Sequence, residues 1–235
     1  MLVNCQGIVF KSYKFQDTSL IVKIFTSSHG VQTFMVKGIR SVKANGKASL
    51  FQPGVLLDMI MYYQENKNFK GLREYRASHL YSSSLFDIRK SSVLIFLMEI
   101  IELCIHGEES NDAMFDFVYS ALVKLDKEEF RAVFHIEFLL ELMQHLGIYP
   151  NGHARDLNPY FSIKEGGFVN HKSSFPYEIN TEDSASFSKA LEGRAEAMLK
   201  KERKVVMDII LRYFSYHLDN FGEIKSLKVL ESVLS

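Results

Sequence analysis

The 235-residue chain has 28 basic and 28 acidic residues, and 47% of its residues are hydrophobic, which suffices for a buried core and argues against disorder. The zero net charge hides a division: residues 1–78 hold 11 basic and 4 acidic residues, residues 79–192 hold 9 and 18, and residues 193–235 hold 8 and 6. This excludes a uniformly basic or acidic chain and makes the N-terminal part the candidate for binding a polyanion.

The compartment is predicted from what the sequence lacks. Residues 1–6 show no basic flank followed by an apolar core, so export is not expected. The most apolar stretch, residues 93–105, contains two glutamates and is shorter than the roughly 20 residues of a membrane span. Cys5 and Cys104 are too few for a disulfide framework or a thiolate zinc site. We expect a cytoplasmic protein, associated with no membrane.

Short runs rich in β-branched and aromatic residues dominate the first third of the chain. Ser28-His29-Gly30 separates two of them and is typical of a hairpin turn. Five antiparallel strands in such a short segment must cover their edges, and the OB-fold barrel is the commonest solution. The five predicted strands cover residues 3–13, 19–26, 31–36, 56–63 and 71–80.

Beyond residue 81 the apolar residues recur every three or four positions, which predicts helices. Asn111 is a candidate cap, and Asp126 with Glu129 forms a capping-box-like helix start. Gly147 and Pro150 end that helix. The predicted helices cover residues 87–105, 111–125, 126–146, 203–221 and 226–234, with a further one starting near 181.

These elements predict an α+β protein. A five-stranded OB-fold barrel would occupy residues 1–80, and an α-helical domain residues 81–235. The polar segment from about residue 150 to 180 contains several Pro and Gly residues and is predicted to be a small irregular insertion between helices.

A search for catalytic spacings finds neither a Gly-x-Ser-x-Gly elbow nor a His-Glu-x-x-His motif. Asn45-Gly46-Lys47 resembles part of a phosphate loop, but Ser41 and Ala48 stand where that loop needs Gly and Ser or Thr. His153 and His171 bracket the insertion at a separation that a metal site tolerates, without a cysteine or carboxylate pair at ligand spacing. We therefore predict no catalytic residue, no metal and no cofactor.

Basic residues are dense near the N-terminus, where Asp17 is the only acid before residue 48. Such a patch suits phosphates, and a merely solvated surface is the alternative. Tyr13, Phe15, Phe25 and Phe34 are candidates for stacking on bases, although strand alternation sends some of them into the core. The predicted DNA-binding residues are Lys11, Lys14, Lys23, Lys37, Arg40, Lys43 and Lys47.

A smaller basic cluster precedes the amphipathic helix predicted at 203–221. It can bind an acidic, hydrophobic peptide tail, and a solvated helix start is the alternative. The cluster contains Arg194 and the predicted partner-binding residues Lys200, Lys201, Arg203 and Lys204.

Several short segments, in this order and spacing, resemble the RecO family of bacterial recombination mediators. They are Gly7-Ile8-Val9-Phe10-Lys11-Ser12-Tyr13, Asp17-Thr18-Ser19-Leu20-Ile21-Val22, Phe25-Thr26-Ser27-Ser28-His29-Gly30, Val36-Lys37-Gly38-Ile39-Arg40, Leu50-Phe51-Gln52-Pro53-Gly54, Leu72-Arg73-Glu74, Leu146-Gly147-Ile148-Tyr149-Pro150 and Gly166-Gly167-Phe168-Val169. The resemblance covers nearly the whole chain and is strongest over residues 7–53.

The resemblance implies an OB-fold that binds single- and double-stranded DNA, joined to a helical domain. Such proteins act in the RecF pathway near the nucleoid. They anneal complementary strands and, with RecR, help to load RecA onto DNA coated by the single-strand-binding protein (SSB), whose acidic C-terminal tail docks on the helical domain. Many relatives hold zinc with four cysteines in the insertion. Residues 151–175 contain none, so we predict no zinc and an insertion held by packing of residues such as Tyr160, Phe161 and Phe168.

Two other functions remain open. The basic face of a protein-interaction adaptor would bind an acidic protein instead of DNA. A hydrolase using the scattered His and Asp residues is the remaining alternative.

Overall fold

The computed structural model describes residues 1–41, 44, 46–154, 157, 159–172, 179–219 and 221–234. It divides into two compact units. The first contains residues 1–129 and 224–235, and the second contains residues 130–223. The predicted division at residue 80 into a DNA-binding domain and a helical domain stays a prediction.

The first unit begins with a closed antiparallel barrel. Its strands are β1 (Leu2–Phe15), β2 (Ser19–Thr26), β3 (Gly30–Val36), β4 (Leu56–Tyr62) and β5 (Gly71–Ala77), in the spatial order β3-β2-β1-β4-β5. The long β1 pairs with β4 through its first half and with β2 through its second half. A parallel bridge between Phe34 and Lys70, with Lys70 N donating to Thr33 O at 2.8 Å, joins β3 to β5 and closes the sheet. The predicted α+β class with an OB-fold barrel is confirmed.

Alternation along the strands fills the barrel interior with apolar side chains such as Val22, Ile24 and Phe34. A 3-10 helix at Lys47–Phe51 packs against this core, with the Phe51 ring centroid 5.0 Å from that of Tyr75. Strand β2 also contributes to an outer contact, because the Phe25 ring meets the Phe115 ring edge-on at 5.4 Å.

Three helices complete the first unit: α1 (Ile88–Cys104), α2 (Asp112–Lys127) and α6 (Leu227–Val233). Asp87 caps α1, and Asn111 caps α2 as its sequence predicts. The carboxylate of Glu99 in α1 accepts the backbone N–H groups of Lys225 and Ser226 at 3.0 and 2.8 Å, which holds the start of α6. The helices therefore pack as one compact unit with the barrel.

The predicted helix start at Asp126 is wrong. Asp126 lies in the last turn of α2, and its carboxylate accepts hydrogen bonds from the backbone N–H groups of the three serines 82–84. The next helix begins at Phe134. The sequence pattern predicted the wrong role because a buried carboxylate at a helix end can accept hydrogen bonds from a segment more than 40 positions away as readily as from its own helix.

The second unit contains α3 (Phe134–His145), the two-stranded hairpin β6 (Tyr160–Ser162) and β7 (Gly167–Val169), α4 (Thr181–Leu191) and α5 (Lys200–His217). The hairpin lies within the predicted insertion. Phe161 is completely buried, and its ring centroid lies 5.3 Å from that of Phe168 and 4.6 Å from that of Phe187 in α4. An aromatic cluster thus anchors the insertion to the helices.

Candidate nucleic-acid interface

Three of the predicted phosphate-binding residues lie around the turn between β1 and β2. Lys14 pairs across with Leu20 of β2, which in turn pairs with Val36 at the end of β3, immediately before Lys37. Arg40 follows a turn after β3, and its backbone N–H donates to Thr18 O at 3.0 Å. Lys14, Lys37 and Arg40 are all exposed. We call these three residues the turn cluster.

The turn cluster keeps its charge available. Among the residues that the structure describes, none of its three members forms an ion pair within 4 Å. The Arg40 guanidinium donates to the carbonyl of Gln16 at 3.4 Å, which is a long contact. The turn contains one acid, the exposed Asp17. The local charge is therefore positive and faces solvent.

Lys11 and Lys23 form a separate pair, because their Cα atoms are cross-strand partners in β1 and β2. The carboxylate of Glu102 in α1 lies 3.5 Å from the Lys11 ammonium and 4.0 Å from that of Lys23. A hydrogen bond with the Tyr13 hydroxyl and the charge of Glu102 raise the pKa of Lys11, against a lowering by burial. Sequence reasoning missed Glu102, which is distant in sequence and partly neutralises this pair.

The remaining two predicted residues lie elsewhere. Lys47 is the first residue of the 3-10 helix and lines a groove of about 620 Å³ together with Asn4 of β1, Asp58 of β4 and Arg73 and Arg76 of β5. Lys43 falls outside the described residues. The six described members of this set thus lie at three places on the barrel.

The predicted stacking aromatics divide between core and surface. Phe25 and Phe34 are buried at 1% and 0% exposure, so they serve the fold. Tyr13 is 50% exposed and lies on the strand that carries Lys11 and Lys14. Sequence reasoning missed Tyr62 and Phe69, which are 51% and 44% exposed and flank the β4–β5 turn. Period-2 alternation would have placed Tyr62 outside, since Met59 and Met61 point inward.

A buried ammonium shapes the β4–β5 turn. Lys70 is only 3% exposed, and its Nζ donates to the carbonyl oxygens of Gln64, Glu65 and Lys67 at 2.9, 3.3 and 2.7 Å. The ammonium also lies 5.0 Å from the centroid of the Tyr63 ring. Lys70 is therefore a structural residue that fixes the turn, and is not available to a phosphate.

The second basic cluster lies at the start of α5 in the second unit. Lys200 and Lys201 are exposed beside Leu199, whose side chain is 68% exposed, and Lys201 pairs with Glu182 at 3.3 Å. Arg203 is half-buried and donates to Met198 O at 2.9 Å, which ties down the turn before the helix. Lys204 is exposed. Exposed cations and an exposed apolar side chain therefore lie side by side.

Neither metal-binding nor membrane-spanning features occur in the described parts of the chain. Their His, Cys, Asp and Glu side chains form no group of three that can hold a metal ion. Within the insertion, His171 lies 3.4 Å from Glu165, and His153 lies 3.9 Å from Glu192. No described helix combines the length and apolar character that a bilayer span requires.

Comparison with known proteins assigns the family. The model of the recombination protein O N-terminal domain matches residues 1–81, and that of the C-terminal domain matches residues 85–228. The chain belongs to the RecO family. DNA repair protein RecO of Flavobacterium psychrophilum is 34% identical over the full length of both chains. The RecO proteins of Flavobacterium johnsoniae and Bacteroides fragilis are 32% and 30% identical over 100% and 99% of each chain.

Membership in the RecO family gives the chain a role in DNA repair and recombination. The names of the family models and of these relatives state no catalytic activity. Exposed cations and aromatics on the barrel are the groups most relevant to this role.

Proposed function

We propose that the protein is a DNA-repair mediator whose barrel binds single- and double-stranded DNA through its basic residues without recognising sequence. The turn cluster carries this proposal, because three exposed cations converge on one turn and form no ion pair with other described residues. Phosphate binding releases condensed counterions, so such a cluster supplies affinity that depends on salt.

Lys11, Lys23 and Lys43 are proposed to extend this contact, and Lys47 is proposed to bind DNA from the groove beside β4 and β5. For Lys11 and Lys23, phosphate would compete with Glu102, whose distances of 3.5 and 4.0 Å indicate a loose pairing. Exposed pairs of this kind contribute at most about 1 kcal/mol, so the exchange costs little. Tyr13, which lies beside Lys11, offers an exposed ring to an adjacent base.

Membership in the RecO family supports finer roles as proposals. We propose that the protein anneals complementary strands and, with RecR, assists RecA loading onto SSB-coated DNA. Lys200, Lys201, Arg203 and Lys204 are the proposed site for the C-terminal tail of SSB, since exposed Leu199 and the neighbouring ammonium groups suit an acidic, hydrophobic peptide.

The decisive experiment is a fluorescence anisotropy titration of labelled single-stranded DNA over a range of salt concentrations. Changing the turn cluster with Lys14→Glu, Lys37→Glu and Arg40→Glu should weaken binding at least tenfold. The slope of log K against log salt should fall by about 0.7 for each lost phosphate contact. Lys67→Glu, Lys127→Glu and Lys228→Glu are the matched control, because these exposed lysines belong to the same unit. An unchanged slope in the turn-cluster variant would contradict the proposal.

The adaptor function is the alternative, favoured by one observation: a carboxylate, that of Glu102, already sits on the lysine pair of β1 and β2. A polyglutamate peptide separates the two functions. The mediator should prefer DNA to this peptide at equal charge, whereas an adaptor should bind the peptide more tightly.

A further inference from the structure

The groove beside the 3-10 helix is a candidate second binding site on the barrel. It has a volume of about 620 Å³, within the range of ligand sites, and it runs across β4 and β5 between the 3-10 helix and the start of β1. Its basic residues are Lys47, Arg73 and Arg76. We refer to it as the β4–β5 groove.

A β-bulge directs one of these cations. Ile60 pairs with Glu74 and Met61 with Leu72, so Arg73 is the extra residue of β5. Bulges re-aim a side chain and occur at functional edges. The Arg73 guanidinium remains about half exposed, with a single long ion pair to the neighbouring Glu74 at 3.5 Å. Its charge is thus presented to the groove with little local competition.

Asp58 holds a second cation in place. It accepts from Nε and Nη2 of Arg76 at 3.2 and 3.1 Å, and it also accepts from the Gln6 amide at 3.3 Å. A guanidinium has five N–H donors, so several of those of Arg76 remain free for another acceptor. Because the Arg76 side chain is 81% exposed, these donors reach solvent in an orientation that is already fixed.

The spacing of the cations favours an extended polyanion over a single anion. Arg73 and Arg76 are three positions apart on β5, so their Cα atoms are separated by about 10 Å at 3.3 Å per residue, which lets their guanidinium groups contact different phosphates of one strand. Lys47 adds a third charge and forms no ion pair with described residues. Tyr75, packed on buried Phe51, gives the groove a rigid aromatic wall.

Asp58 and Glu74 distinguish a nucleic acid from an acidic peptide. Carboxylates in the lining would repel each acidic side chain of a peptide rich in Asp and Glu. They can accept hydrogen bonds from base N–H groups, and so can the Asn4 side-chain oxygen, while the cations contact phosphates. The groove therefore matches a polymer with alternating anionic and hydrogen-bond-donating parts.

We propose that the β4–β5 groove binds a second single strand of nucleic acid, so that one barrel holds two strands at once. The inference rests on the proposed function, in which the turn cluster binds the first strand. The groove uses the 3-10 helix and β5, whereas the turn cluster uses the β1–β2 turn and the end of β3, so each strand has its own cations.

Native mass spectrometry of the full-length chain tests this by counting bound oligonucleotides. The probes are two non-complementary DNA strands of about 8 nucleotides, which is within the site size of one OB-fold. We expect two strands per parent protein. Lys47→Gln with Arg73→Gln should leave one strand, weakening the second binding step at least tenfold, and should leave the Asp58–Arg76 pair intact. Lys127→Gln with Lys228→Gln is the control with the same loss of charge.

Each outcome separates the two proposals. Two strands on the groove variant, with the parent affinity for the second, would overturn the groove site while leaving the turn cluster untouched. A parent protein that binds only one strand would also overturn the groove site. A parent protein that binds no strand would contradict the proposed function itself. Displacement of only one strand by polyglutamate, lost in the groove variant, would reassign the groove to an acidic peptide. Arg73→Gln alone, an exposed change, gives the same readout if the double variant folds poorly.

Discussion

At the residue scale, Asp126 shows how a buried charge is stabilised. It is 2% exposed, and the serines 82–84 and His79 all donate to its carboxylate, with His79 Nε2 at 3.0 Å. Burial raises the pKa of this carboxyl, but the hydrogen bonds outweigh that effect and hold the pKa well below its usual range. Nearby, the buried Lys90 ammonium donates to Asp126 O and Glu128 O at 2.9 and 2.6 Å. Together they fix the segment between β5 and α1.

Asp126→Asn should lower the free energy of unfolding by about 3 kcal/mol, because an amide N–H₂ would face N–H donors in a buried site. The folded pKa of Asp126 lies below the unfolded value of about 3.9, so the carboxylate stabilises the protein above that pH and this contribution is lost as pH falls toward the folded pKa. Urea denaturation of the variant should vary less with acid pH than that of the parent. The exposed Asp116→Asn in the same helix is the control, and equal losses in both variants would refute this account.

At the element scale, a glycine sets how closely the β2–β3 hairpin approaches the loop between α1 and α2. Gly30 has a φ of +57°, and Val31 N donates to Gly107 O at 2.9 Å. A Cβ on Gly30 would overlap the carbonyl oxygen of Glu109 and lie 2.8 Å from that of Gly107. Gly38 has a similar φ of +69° but nothing within 4 Å of such a Cβ. Of these two glycines, only Gly30 is required for packing as well as for backbone conformation.

Gly30→Ala and Gly38→Ala therefore form a matched pair. Both substitutions should lower the free energy of unfolding by about 1–2 kcal/mol, because alanine is strained in the left-handed backbone conformation. Gly30→Ala should lower the free energy of unfolding by about 1–3 kcal/mol more, because its methyl group would overpack against the loop between α1 and α2. Thermal or chemical denaturation of the two variants measures the difference, and equal stability would show that the hairpin and loop yield without cost.

The β6–β7 hairpin makes a second prediction at this scale. Phe161 N donates to Ser184 Oγ at 2.8 Å, and His217 Nε2 lies 2.8 Å from Ile163 O, so α4 and α5 hold the hairpin alongside the aromatic cluster. Phe161→Ala should lower the free energy of unfolding by about 3–5 kcal/mol, because it removes a completely buried aromatic side chain. Because the insertion has no cysteines, EDTA should leave the thermal midpoint of the parent unchanged. A midpoint lowered by EDTA and restored by zinc would contradict the prediction that packing replaces a metal here.

At the scale of the whole molecule, each compact unit is close to electrically neutral, although the N-terminal segment of the sequence is strongly basic. The compact unit containing the barrel has 17 basic and 15 acidic residues, and the second unit has 11 and 13. The strongly basic N-terminal segment is thus largely balanced by residues 79–129, which hold 10 acidic and 4 basic residues and include Glu102. Among the described residues, cations without an ion-pair partner remain at the turn cluster and, as Lys47, in the β4–β5 groove. Binding of a polyanion should therefore depend on these places and not on net charge.

The two units are expected to bind different ligands. Lys200→Glu in α5 is expected to weaken binding of an acidic C-terminal-tail peptide of SSB at least threefold, because it reverses an exposed charge beside Leu199, and to leave DNA affinity unchanged. Lys164→Glu, an exposed change in the β6–β7 turn, is the control. Isothermal titration calorimetry measures the peptide. If Lys200→Glu and Lys164→Glu weaken the peptide equally, the α5 cluster is not its site.

Much of the fold follows from the sequence alone. Strand alternation predicts β2 with its observed limits, and the helical period with the Asn111 cap predicts α2, because both depend on residues close together in the chain. The order of short motifs likewise suffices to recognise the RecO family. The density of basic residues also identifies the candidate cations between residues 11 and 47, but not Arg73 and Arg76 of the β4–β5 groove.

Tertiary structure alone decides what these charges can do. Asp126 resembles a helix start but binds serines 82–84, and Lys70 resembles a surface cation but is buried against three carbonyls. Glu102 meets Lys11 and Lys23 from 91 and 79 positions away, and Lys47 joins Arg73 and Arg76 in one groove. Electrostatic interaction depends on distance in space, which barrel closure and helix packing set. The sequence therefore determined the fold class and the family, whereas the partners of each charge were settled only by folding.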